Sequence, residues 1–98
     1  MKLYADKEMK KPIYFVPFGE VQIGASKEMV VFVHNESLNT IKDLEFFVHV
    51  PEVELLSGPR VLEGKGVESL TVKWTPSVTV KRGLNVDIDW EGVEVYGQ

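Results

Sequence analysis

Ninety-eight residues with a formal net charge of −4 and no cysteine make one small domain. A chain this long can bury roughly two-thirds of its unfolded surface without covalent staples. The missing cysteines exclude a disulfide scaffold and a thiolate metal site, and the acidic balance argues against a nucleic-acid partner, which wants a basic face. No apolar run is long enough to span a bilayer. The N-terminal MKLYADKEMKK lacks the apolar middle of a signal peptide. The expected address is therefore the cytoplasm, or a particle assembled there. Valine is abundant and alanine appears only at Ala5 and Ala25, a balance that favours strands over helices.

Residues 1–12 read as an N-terminal arm. Lys2 to Ala5 could form a short strand, and the charged stretch from Asp6 to Lys11 ends at Pro12. Leu3 and Tyr4 suggest an arm that docks, either on the sheet or on a neighbour, because disordered tails seldom carry large apolar residues. Residues 13–98 read as one sandwich domain. Ile13 to Val16 is a compact apolar run closed by Pro17, which places it at a sheet edge or ends it there. Phe18 to Ile23 alternates, with Gly19 as a candidate bulge. Gly24-Ala25-Ser26 is a turn.

Glu28 to His34 carries the strongest strand pattern. Met29, Val31 and Val33 share one face; Val30, Phe32 and His34 share the other. Apolar residues on both faces suggest cover on both sides, by a subunit or by the arm. Ile41 to Val50 alternates, with Leu44, Phe46, Val48 and Val50 inward and Asp43, Glu45, Phe47 and His49 outward. Val53 to Leu56 is a short strand, and Val61-Leu62 can pair briefly. Gly66 to Pro76 turns Leu70, Val72 and Trp74 inward. A loop spans Pro76 to Gly83. Leu84 to Trp90 turns Leu84, Val86, Ile88 and Trp90 inward, Glu91-Gly92 makes a tight turn, and Val93 to Tyr96 closes the chain. The total is about seven antiparallel strands with turn chemistry between them, the pattern of an all-β, immunoglobulin-like sandwich.

Phe18-Gly19-Glu20-Val21-Gln22-Ile23-Gly24, followed by a β-run ending at Asn35, resembles the opening of the ASH and major-sperm-protein-like immunoglobulin-fold domains. Trp74-Thr75-Pro76 looks like that family's aromatic-x-Pro step, and Gly83-Leu84 leading to Val86 and Ile88 looks like its penultimate strand. The resemblance runs from Ile13 to Tyr96. It implies a seven-stranded sandwich that binds protein and performs no chemistry. The chain departs from the family in being a lone domain without an evident basic peptide-binding patch.

No constellation of catalytic residues stands out. His34 and His49 are the only histidines, and a zinc site wants three or four convergent ligands. Asp87, Asp89 and Glu91 make an acidic row, but alternate side chains on a strand lie about 7 Å apart, too far for one cation without loop ligands. The serines lack a GxSxG setting, and Gly64-Lys65-Gly66 is too short for a phosphate loop. No catalytic, cofactor-binding or metal residue is therefore assigned, and no cofactor or small-molecule substrate is expected. Trp74 and Trp90 read as core.

The better candidates are apolar residues where a lone domain should be polar: Val30, Phe32 and Phe47, with Leu3, Tyr4 and Tyr14 able to join them. The expectation is a non-enzymatic structural protein. Its partners would be other protein subunits of a larger assembly, with neither nucleic acid nor membrane involved. By analogy with small stand-alone sandwiches, the setting is a phage virion, as capsid decoration, cement or tail component, with β-addition at a sheet edge as an option. The alternative is a cytoplasmic adaptor or chaperone-like module that binds a peptide.

Overall fold

A computed structural model describes residues 1–77 and 84–96. The Pro76–Gly83 loop expected from the sequence lies mostly outside the described residues. Those described form nine strands and no helix: β1 (Lys2–Tyr4), β2 (Pro12–Ile13), β3 (Val16–Gly19), β4 (Lys27–His34), β5 (Thr40–Phe47), β6 (Val53–Ser57), β7 (Val67–Trp74), β8 (Leu84–Val86) and β9 (Asp89–Val95). No helix long and apolar enough to cross a membrane is present among them. All pairings are antiparallel, and the architecture is an all-β sandwich.

One layer is a five-stranded sheet in the order β2-β1-β4-β7-β6. Its spine is the β4–β7 pair, in register from Lys27 opposite Trp74 to His34 opposite Val67. Alternation then assigns the faces. Val31, Val33, Leu70, Val72, Trp74 and Val53 face inward and are buried. The N-terminal residues join this layer: β1 pairs with β4 on one side and with β2 on the other. The β1–β2 loop is closed by the Asp6 carboxylate, which accepts the backbone N–H groups of Lys10 and Lys11.

The opposing layer consists of two ribbons, β3–β8 and β5–β9. They contribute Val16, Phe18, Val86, Ile41, Leu44 and Phe46 to the same core. The Phe18 ring meets the Trp74 indole at 5.8 Å between centroids. The Trp74 N–H, at the core boundary, donates to Glu52 at 3.3 Å, so the largest core side chain leaves no orphaned donor.

This layer departs from the simple alternation read from the sequence. The strand expected over Phe18–Ile23 ends at Gly19 and instead begins at Val16, with Pro17 inside it opposite Asn85. Pro17 is tolerated because β3 pairs on one side only among the described residues. Gly19 has φ of 71° at a register shift, the left-handed conformation that glycine adopts without a Cβ penalty. The β5 strand stops at Phe47 rather than Val50, and Ile41 is buried along with Leu44 and Phe46. An extra residue explains both parities: the register slips between Lys42 and Glu45, and Asp43 has φ of 51°. A short polar side chain tolerates that conformation, and the bulge turns both sets of residues to the core.

The largest correction concerns the C-terminal run. The expected Leu84–Trp90 strand breaks at Asp87-Ile88, and the expected Glu91-Gly92 turn is the middle of β9. Gly92 is required there by proximity. A Cβ on it would lie 2.6 Å from Ile41 Cγ2 and 3.1 Å from Leu44 Cδ1. Ile41 and Leu44, on either side of the slip in β5, occupy the space a side chain would need.

At one end of the sandwich Asn35 ties two loops together. Its side chain is buried; Nδ2 lies 2.8 Å from the Asn39 carbonyl and 3.1 Å from those of Leu62 and Glu63. Its Oδ1 accepts the Ser37 N–H at 3.0 Å. The brief pairing expected at Val61-Leu62 is the Ile41–Leu62 bridge beside it.

Candidate protein-interaction surfaces

The six residues singled out in the sequence fall on three different surfaces. Tyr4, Val30 and Phe32 come together. Tyr4 stands opposite Phe32 across the β1–β4 pair, and Val30 lies two residues along on the same outward face of β4. Val30 is half exposed; Tyr4 and Phe32 are partly covered. None of the three packs against the core cluster. The patch extends to Ser69 and Thr71 on β7. His34 closes it at one end, its ring tilted against Tyr4 at 6.3 Å and its Nδ1 buried without a hydrogen-bond partner among the described residues. The Lys2 ammonium lies over the Tyr4 ring, 5.5 Å from its centroid.

Leu3 is separated from this patch by the alternation of its own strand. It sits opposite Val33 and Ile13 and packs against the core. Phe47 belongs to the other layer, opposite Asp89 on the outer side of the β5–β9 ribbon, far in topology from Phe32. Tyr14 is 88 % exposed at the crossing from β2 to β3.

A second surface escaped the sequence reading. A cavity of about 510 Å³ lies between the inner side of β1 and β2 and the start of β9, lined by Leu3, Ile13, Val33 and Phe46 with Tyr14 and Trp90 at its lips. Trp90 faces the side of the ribbon shared with Phe46, as expected, but it is 40 % exposed and not core. Sequence alternation gives the side a residue faces; it does not say whether the opposing sheet reaches that far. No local signal pointed here, because alternation alone reads Trp90 as a core residue.

Several ionisable groups are engaged in local bonds. Glu94 accepts from the Ser37 hydroxyl, the Tyr96 hydroxyl and the Asn39 amide, and these hold its carboxyl below the usual value. The same bond to Glu94 pushes the Tyr96 phenol up. The Ser77 hydroxyl likewise lowers Glu52. His49 Nε2 lies 2.6 Å from Asp89 Oδ2, an exposed pair. The acidic row is broken by the corner at Asp87-Ile88, which leaves Asp89 and Glu91 on one face. Among the described residues no three His, Asp or Glu side chains converge as metal ligands would.

Comparison with protein-family models, with curated proteins and with solved structures returns no match to this chain.

Proposed function

We propose that this chain is a non-enzymatic building block, an immunoglobulin-like sandwich of the ASH and major-sperm-protein-like kind. It works by protein–protein contact as a multi-copy component of a phage particle. The observation that carries the contact reading is the outer face of the five-stranded sheet. Tyr4, Val30 and Phe32 lie side by side there, outside the core. Contiguous apolar surface of this kind marks an interface more often than it serves stability. The particle setting rests on analogy of architecture. A peptide-binding cytoplasmic adaptor is the second reading, and the open cavity between β1 and β9 favours it.

Phe32→Asp distinguishes an interface from a core position. The side chain sits on the outward face opposite Tyr4 and Ser69, so the variant should stay folded by circular dichroism. In co-sedimentation followed by mass spectrometry it should be lost from the large-particle fraction that retains the parent chain. Unfolding of the variant would place Phe32 among the structural residues. A parent chain found only as a free monomer would remove the particle reading.

A further inference from the structure

We propose that β9 is a docking edge for an extended segment of a partner polypeptide, one that alternates apolar with basic residues and closes the second layer of the sandwich. The inference deepens the protein-contact reading above and rests on it.

Three observations converge on the same strand. First, β9 is seven residues long and pairs only with β5 among the described residues. Its other edge offers a row of backbone donors and acceptors, which an extended chain satisfies and a helix does not. Second, the first residues of β9, Asp89 and Trp90, and Ile88 just before them, also line the cavity over β1 and β2. A strand added beside β9 would turn alternate side chains inward, toward Leu3 and Ile13, between the lips formed by Tyr14 and Trp90. Five strands face a layer that is incomplete at this point, and one more strand supplies the missing cover.

Third, charge selects the occupant. Asp89, bonded to His49, and Glu91 lie on the outer face, with Glu45 directly opposite Glu91 and Lys42 opposite Val93, so acids outnumber the one lysine along this pair of strands. Two copies of this chain pairing β9 to β9 would bring these carboxylates together, which opposes self-association. Lysine or arginine at the outward positions of an incoming strand would meet them favourably. The acids therefore guard the edge against a second copy while leaving it open to a basic partner.

The test uses the full chain, labelled with nitrogen-15, and short acetylated peptides as probes. One probe alternates valine with lysine, a second alternates valine with glutamate, and a third is the lysine probe N-methylated at alternate residues so that it cannot pair. At low salt the lysine probe should slow amide exchange in β9 and bind at least about tenfold more tightly than either control. Trp90→Ala and Tyr14→Ala, both at exposed lip positions, should each weaken it while the circular dichroism spectrum is kept. Equal binding of the N-methylated probe, protection centred on β2 or β6, or no binding of any probe overturns the proposal. Concentration-dependent dimerisation that protects β9 without a probe also overturns it, because the occupant is then a second copy. Probe failure with Phe32→Asp still lost from particles would remove strand addition alone. Probe binding by a chain that never enters a particle would remove the building-block reading alone.

Discussion

The two layers are made of similar residues and obey different rules. In the five-stranded sheet, β4 and β7 pair without a slip over their whole length, Val31, Val33, Leu70, Val72 and Trp74 are buried at alternate positions, and a register shift appears only toward the edge, between β6 and β7. In the opposing layer, both ribbons carry a register shift, the chain turns a corner at Asp87-Ile88, and one edge of β9 has no partner among the described residues. Continuous pairing specifies the face of every residue. A bulge resets that specification locally, and a corner ends it. The five-stranded layer thus carries the continuous spine, and the other holds the bulges, the corner and one wall of the cavity, while both contribute to the common core.

Substitutions can probe this difference, and the largest effect should come from the regular layer. Trp74→Ala removes a fully buried indole from the β7 spine and its contact with Phe18. It should cost about 4 kcal/mol, measured by urea unfolding, and should unfold both layers together. A loss below about 1 kcal/mol would mean that the layers are not held by a common core. Asn35→Ala acts at the end where loops from both layers meet. It removes the amide that the Asn39, Leu62 and Glu63 carbonyls share and leaves the Ser37 N–H without its acceptor, and about 2 kcal/mol should be lost.

Gly92→Val tests the irregular layer by itself. The new side chain meets Ile41 and Leu44, an overpacking cost of about 2 kcal/mol. Faster amide exchange should appear in β5 and β9 and not in β4 and β7. Uniform loss of protection would show that the ribbon is not an independently yielding unit. The smallest effect is with pH. Because Glu94 has its carboxyl pKa lowered from 4.5 in the fold, its contribution is present above that value and disappears as pH falls through the folded pKa. The melting temperature should drop on acidification, and Glu94→Gln should flatten that drop. An unchanged acid limb in the variant would remove Glu94 from the account.

Much of the candidate surface was legible residue by residue, but its grouping was not. Val30 and Phe32 stood out because both faces of β4 are apolar, and a strand of known parity puts them together. Tyr4 joins them only because β1 happens to pair in a register that sets it against Phe32. Leu3, its neighbour in sequence, is excluded by the same register. Phe47 looked equivalent to Phe32 and lies in the other layer. Pairing between strands distant in sequence depends on loop closure and core packing, which no local pattern encodes.

From its sequence alone, this chain was determined to be all-β and antiparallel, with Val31, Val33, Leu70, Val72 and Trp74 in the core, since a period of two is imposed by the pleat of each strand independently. Only the tertiary structure decided that Gly92 lies within a strand, that Ile41 turns inward with Leu44, and that Trp90 stands at an open mouth. Each of these depends on what the opposite strand or layer places within a few ångströms. Gly92 looks like a turn residue until Ile41 is found where its side chain would be.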